Sequence, residues 1–203
     1  MILRGAKRYV AITAALSAVC GLTGCLCLFG DAVFIRDRNL ERAIRYELGK
    51  PLGCLLRSDL ESLTELHAAS LSIRTLAGLE AAKNIRRLYL SGNSLTTITE
   101  IGSFANLEFL DLSNNGVQDI TALSGLVHLR SLNLDQNPVM DWTPLAANVL
   151  AGGFAEGGTV TVGGSSVVDN DGNCTENFRT VRDILVQRGV AVIVTGTDSL
   201  TCQ

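Results

Sequence analysis

The sequence predicts an α/β solenoid wound from near-identical layers, and three observations predict it. A phrase recurs at a fixed interval, as LYLSGNSL from Leu88, LDLSNNGV from Leu110 and LNLDQNPV from Leu132. Within each copy the L-x-L pair alternates with the period of a strand, so both leucines point to one face. An asparagine holds the same place in every copy, at Asn93, Asn115 and Asn137.

Each row of the pattern reads as one layer. Ile85, Leu88, Leu90, Asn93, Leu95, Ile98 and Ile101 form one row, and Leu107, Leu110, Leu112, Asn115, Val117, Ile120 and Leu123 form the next. Leu129, Leu132, Leu134, Asn137, Val139 and Trp142 begin a third. A weaker row precedes them (Leu63, Leu66, Ala68, Ile73, Leu76, Leu79), with Leu71 where the asparagine should stand. A degraded row follows an insertion, with Val160, Val162, Val167 and Ser165 at the asparagine position. Identical rows stack strand beside strand, about 4.8 Å apart, into a parallel sheet. The chain must leave each strand by a tight turn whose buried backbone groups need partners. A carboxamide offers an acceptor and two donors. Asn93, Asn115 and Asn137 are therefore expected to form a buried ladder, bonding the layers above and below.

These rows resemble the leucine-rich repeat, L-x-x-L-x-L-x-x-N-x-L. The I-x-x-I-x-x-I/L tail and the row length, Leu88 to Leu110 to Leu132, are most similar to the internalin-type bacterial form. The resemblance spans residues 63–170. It implies a horseshoe of about five repeats with a parallel concave sheet, serving as a non-enzymatic binding scaffold.

No repeat buries its core alone, so both ends need lids. At the N-terminal end, residues 33–62 hold a helical cap: FIRDRNLERAIRYELGKP starts at Asp37 or Asn39, runs through Leu40, Ile44 and Leu48, stops at Gly49 and has Pro51 beyond. Such a segment is similar to the one preceding internalin-like repeats. At the other end, residues 171–203 predict a helix-plus-strand cap. Thr175 or Asn177 would cap the helix, with Phe178, Val181, Ile184 and Leu185 on one face and Gly189 as stop. Val190–Val194 reads as a last strand.

Residues 1–24 read as a leader, followed by a tether over 25–32. Arg4, Lys7 and Arg8 form a basic start and AITAALSAVCGL an apolar middle. Leu22–Cys25, LTGC, resembles a bacterial lipobox, which implies a diacylglycerol on Cys25 as the new N-terminus. An ordinary cleaved secretory signal and an uncleaved anchor over Ala11–Phe29 are the two other readings. Cys20 follows Val19, a poor cleavage residue. All three readings place the body outside the cytosol, because a positive flank stays inside. Disulfides are then permitted. Cys27, Cys54, Cys174 and Cys202 allow three pairings. Cys174 and Cys202 flank the C-terminal segment and make the first pair; Cys27–Cys54 is the remainder, with a free Cys27 as its alternative.

Composition narrows function further. Net charge is −3 with the basic leader included, which argues against nucleic acid, whose phosphates demand a basic footprint. His67 and His128 are the two histidines, and no zinc-protease pair, phosphate loop or nucleophile elbow is present. DNDGN, Asp169–Asn173, places no ligand at the first and last positions of a calcium loop, where Val167 and Phe178 fall, and reads as a polar turn. No cofactor or metal is expected.

The candidate site is the sheet's outward face. Its positions include Glu65 and His67, Arg87 and Tyr89, Phe109 and Asp111, Ser131, Asn133 and Asp135, and Thr159 and Thr161. Tyr89 and Phe109 fall on adjacent strands at a diagonal short enough for contact. Beside Arg87 and Asp111 they have the makeup of an interface hot spot; Asn133 and Asp135 extend the face. The expected function is binding a protein or glycan while anchored to the membrane by lipid. A passive structural envelope lipoprotein and an inhibitor of an extracellular enzyme are the competing expectations.

Overall fold

The computed structural model describes residues 31–154, 157–163, 167–168 and 174–196. Six strands form one parallel sheet in chain order: β1 Glu65–His67, β2 Arg87–Tyr89, β3 Phe109–Asp111, β4 Ser131–Asn133, β5 Thr159–Gly163 and β6 Ala191–Thr195. Across it Leu66, Leu88, Leu110, Leu132, Val160 and Val192 stand in register. Parallel neighbours require a crossover. In the regular rows a 3₁₀ turn carries the chain back, at Leu79–Ala81, Thr99–Ser103 and Thr121–Leu123. The fold is the α/β solenoid that the pattern predicts, and the strand read at Val190–Val194 joins the same sheet one residue later.

Each row fills its layer from both sides. Leu88 and Leu90 enter from the strand; Leu95, Ile98, Ile101 and Phe104 enter from the turn and the return, and all are buried. Burying one such side chain stabilises by about 1.5–3 kcal/mol. Because the same positions repeat, the core is a continuous column and each layer covers its neighbour's open face.

The asparagines close the turns. Asn93 Oδ1 accepts the Ile73 N–H at 3.0 Å and the Leu71 N–H at 3.0 Å, while its Nδ2 donates to Ala68 O (2.7 Å) and Leu90 O (2.8 Å). Asn115 Oδ1 accepts the Leu95 N–H (3.1 Å), and its Nδ2 donates to Leu90 O (3.0 Å) and Leu112 O (2.9 Å). Asn137 repeats this with the Val117 N–H, Leu112 O and Leu134 O. Two expectations need correction. Each amide bonds its own turn and the preceding layer, never the following one. Asn115 is half-buried, unlike Asn93 and Asn137. The first row needs no asparagine, since Asn93 holds both Leu71 and Ile73.

A second regularity sits one residue earlier. Ser70, Gly92, Asn114 and Gln136 all take positive φ, between 54° and 67°. Glycine adopts that conformation freely, and asparagine tolerates it; serine and glutamine accept about 1–2 kcal/mol of strain. The bend aims the next side chain into the turn, so the amide bonds depend on it.

The N-terminal lid is α1, Arg38–Glu47, which buries Leu40, Ala43 and Ile44. Asp37 caps it: Oδ1 accepts the Asn39 N–H (2.9 Å) and the Leu40 N–H (3.2 Å). Its Oδ2 accepts the Arg74 N–H of the first repeat at 2.8 Å, stapling lid to solenoid. Gly49, at φ 59°, ends the helix. A second helix, α2 (Arg57–Glu61), is too short to show a periodic pattern in the sequence. Asp59 holds it, accepting the Leu56 N–H at 2.7 Å and pairing with Lys50. The lid begins before residue 33, because Val33 N–H donates to Leu55 O and Arg57 N–H to Asp31 O.

Towards the other end the rows lengthen. α3, Thr143–Leu150, replaces the 3₁₀ turn of the fourth row. Asn148 stands where Phe104 and Leu126 stand in earlier rows, yet it is fully buried. Its Nδ2 donates to Leu123 O (2.7 Å) and Leu126 O (3.0 Å), tying α3 to the preceding turn. A Cβ at Gly153 would overlap Asn148 Oδ1, so the chain passes this amide only as glycine. α4, Glu176–Gln187, is capped by Thr175, which accepts the Phe178 N–H. Asn177, the other candidate cap, instead accepts the Trp142 N–H at 2.7 Å and donates to Asp141 (3.1 Å). Phe178 meets Trp142 edge-on, with ring centroids 5.2 Å apart.

Two outcomes are expected. Asn115→Ala leaves turn groups of two layers without partners and destabilises by about 1–3 kcal/mol; an unchanged thermal melt contradicts the ladder. The second concerns acid. Burial alone would raise the Asp37 pKa, but the Arg74, Leu40, Asn39 and Thr75 N–H groups outweigh it and hold it below the ordinary 3.8. The folded state thus binds its proton more weakly than the unfolded chain. The resulting stabilisation is complete above the ordinary value and is lost as pH falls through the depressed one. Asp37→Asn should be less stable than the parent at neutral pH, with the gap closing in melts below about pH 3.8.

Candidate binding face

Strand alternation sends one set of side chains into the column and the other onto the concave face. Two lines run across that face. One holds Glu65, Arg87, Phe109, Ser131 and Thr159; the other holds His67, Tyr89, Asp111, Asn133 and Thr161.

The N-terminal half carries a row of rings. His67 and Tyr89 are register partners, stacked with centroids 4.5 Å apart and planes within 10°. Tyr89 and Phe109 meet on the diagonal at 4.8 Å with a 38° tilt. Strand spacing sets this, because side chains standing off neighbouring strands about 4.8 Å apart stack face to face. Glu65 lies beneath, with Oε1 3.1 Å from His67 Nε2 and Oε2 3.7 Å from Arg87 Nε. His67 and Arg87 are exposed and the other three are half-exposed. The sequence singles out Tyr89 with Phe109. It holds the signal for the third ring as well, since His67 occupies the place in its row that Tyr89 takes in the next.

The C-terminal half of the face is tied up internally. Asp111 Oδ1 accepts the Ser113 N–H (2.9 Å) and hydroxyl (2.7 Å). Asn133 Oδ1 accepts the Asp135 N–H at 3.0 Å. Asp135 Oδ1 accepts the Thr195 hydroxyl from two strands away. That bond passes over Gly163, where a Cβ would overlap both oxygens. Thr159 donates to the Ser131 hydroxyl at 3.1 Å. Of the six candidates, Arg87, Tyr89 and Phe109 keep their contact surface open, whereas Asp111, Asn133 and Asp135 brace the scaffold.

His128 is exposed beside Leu129, clear of the concave face. Cys54 and Cys174 are both disulfide-bonded. Cys25, Cys27, Ser165 and Cys202 lie outside the described residues, as does Asp169–Asn173. Among the described residues no group of three or more side chains could hold a metal ion, and no helix is long and apolar enough to cross a membrane.

The comparisons fit this geometry. The family described as Leucine Rich repeats (2 copies) matches residues 105–147, and Leucine Rich Repeat matches 84–104. An internalin (inlF) of Listeria monocytogenes shares 27% identity and a TM-score of 0.61 over 71% of this chain and 49% of its own. A Listeria internalin C2 (17% identity, TM-score 0.38) covers 82% of this chain and 99% of its own. A leucine-rich-repeat protein of Leptospira interrogans (23%, 0.46) covers 59% of this chain and 28% of its own. No curated protein matches. The molecule is a leucine-rich-repeat solenoid, an architecture typical of protein-interaction scaffolds. It spans about half the length of the first internalin.

Gly163→Ala should break the Asp135–Thr195 bond and destabilise by about 1–3 kcal/mol through overpacking. Hydrogen exchange should quicken in β6 first; equal protection in parent and variant would contradict the bridge.

Proposed function

We propose that the protein is a non-enzymatic binding module outside the cytoplasm. It is held at the membrane by lipid on Cys25 and grips a protein partner through the His67–Tyr89–Phe109 row. The observation that carries this reading is the row itself: three adjoining rings on a concave face, flanked by Arg87 and Glu65. Aromatic and arginine side chains dominate interface hot spots.

The stacking favours a protein over a glycan. A sugar ring packs on an open aromatic face, but both faces of Tyr89 are turned to His67 and Phe109. What reaches solvent is a line of ring edges and tips, suited to apolar side chains and to hydrogen bonds with the Tyr89 hydroxyl. Inhibition of an extracellular enzyme would use the same contact; a passive spacer would have no use for it. The bonded states of Cys54 and Cys174 support an oxidising compartment, and Cys27–Cys54 and Cys174–Cys202 are the pairings we propose.

Affinity capture from the native envelope tests the face. Tyr89→Ala and Phe109→Ala should each weaken retention about 30-fold, as hot-spot truncations of about 2 kcal/mol do, while the strands remain formed. Capture undiminished in the double variant would exclude the ring row as the site. Mass spectrometry of the mature N-terminus tests the anchor: diacylglyceryl-Cys25 is expected, and Cys25→Ser should leave uncleaved precursor.

A further inference from the structure

Grooves bordered by exposed apolar side chains gather on the N-terminal lid, away from the ring row. Phe34, Tyr46 and Leu52 are 76%, 87% and 83% exposed. Two adjoining grooves link them. One groove of about 370 Å³ runs between Phe34 and Leu52 past Pro51 and Arg45, and a second, bordering Tyr46, shares Pro51 and Arg45. Arg45 fixes this surface, donating to Lys50 O (3.3 Å) and Gly53 O (3.0 Å) and so holding the 50–53 loop against α1. On the other side of Phe34 a groove of about 420 Å³ is lined by Arg36, Arg57 and Lys83 together with Glu80.

The charges around this patch are unequal in availability. Arg36, Arg38, Arg42, Arg57 and Lys83 make no ion pair among the described residues. Of the acids, Asp37 is held by backbone N–H groups, Glu41 by Arg45 and Asp59 by Lys50; Glu80 accepts the Gly78 N–H, and Asp31, Glu47 and Glu61 face solvent. Arg38, Arg42 and Tyr46 follow one another turn by turn along one exposed stripe of α1. Exposed aromatic and aliphatic tips rimmed by arginines are the makeup of a surface that lies on a bilayer: tips enter the headgroup boundary while guanidinium groups meet anionic lipids.

Chain geometry selects the same occupant. The Asp31 backbone bonds that of Arg57 at the edge of the patch. Asp31 lies six positions beyond Cys25, a reach of at most about 20 Å. On the anchoring reading, on which this inference rests, the bilayer surface is the body nearest Phe34. We propose that the N-terminal lid docks on an anionic lipid surface through Phe34, Tyr46 and Leu52 with Arg38 and Arg42, holding the solenoid lid-down on its membrane. The diacylglyceryl anchor, with two acyl chains, holds the chain at the membrane by itself, and the basic apolar patch fixes which end of the solenoid faces the bilayer.

The test uses the full mature chain carrying Leu52→Trp in vesicles, with brominated acyl chains as quencher. Trp142 is buried in the core and constant in every arm. In phosphatidylglycerol-containing vesicles the introduced indole should shift to the blue and be quenched. Quenching should weaken in pure phosphatidylcholine, and by about fivefold in partition per arginine on Arg38→Ala or Arg42→Ala. Protein that floats with vesicles while the indole stays solvent-like keeps the anchor and overturns the docking. If Cys25 proves unmodified, co-sedimentation of the unanchored chain with anionic vesicles and a blue shift sustains the docking, and its absence overturns it. A blue shift that appears without vesicles and grows with protein concentration assigns the patch to a second copy of the chain and also overturns it.

Discussion

The solenoid rests on how its turns leave the sheet. Every strand is three to five residues long, so each layer turns almost as soon as it forms, and it turns inward where water cannot reach backbone groups. In the second, third and fourth layers one carboxamide answers this by joining its own turn to the preceding one. The bond requires the left-handed residue just before it, and that residue is where Gly92 and Asn114 recur. Layer spacing, strand register and the free concave side all follow. If the amide did not consume the turn's donors and acceptors, concave side chains would have to, as Asp111 and Asn133 partly do.

At the ends the repeat hands over to other polar devices of the same kind. Asp37 does for the first layer what an asparagine does elsewhere, bonding a neighbouring turn while capping its own helix. Asn148 carries the amide logic to the far side of the column, where a helix replaces the 3₁₀ turn and its preceding carbonyls need a donor. Asn177 then reaches back from α4 to the Trp142 N–H. Each is a side chain crossing between elements distant in sequence, with one end fixed by backbone.

That difference explains what the sequence disclosed. Repeated burial writes itself as period, so the rows from Leu63 onward, the ladder positions and both lid helices were legible. The degraded row was legible through Val160 and Val162 alone, because a strand needs only alternation. What stayed hidden depends on single contacts without period. The short helix α2, the turn of Asn177 away from its own helix and the passage of Thr195 over Gly163 to Asp135 are cases of this. The ring row was half legible: the diagonal of Tyr89 and Phe109 follows from strand geometry, and His67 falls on the same outward face without being joined to that pair.

The two ends of the face differ for a structural reason. Rows of constant length stack at constant spacing, and these are the rows whose concave side chains stack as the His67, Tyr89 and Phe109 rings. Once α3 and α4 lengthen the rows, the register steps from Leu132 to Val160 and from Val160 to Val192 outgrow the step from Leu110 to Leu132. There concave hydroxyls and a carboxylate bind strand to strand, Thr159 to Ser131 and Thr195 to Asp135. Rigidity there removes recognition chemistry there. The open chemistry is thereby confined to the N-terminal end, on the first three layers beside the lid. On the proposed anchoring, a partner would be gripped within a few strand spacings of the lid that rests on the membrane. A contact so placed favours a partner that is itself at that surface, because two bodies held to one bilayer meet at raised effective concentration and need only a modest interface to stay together.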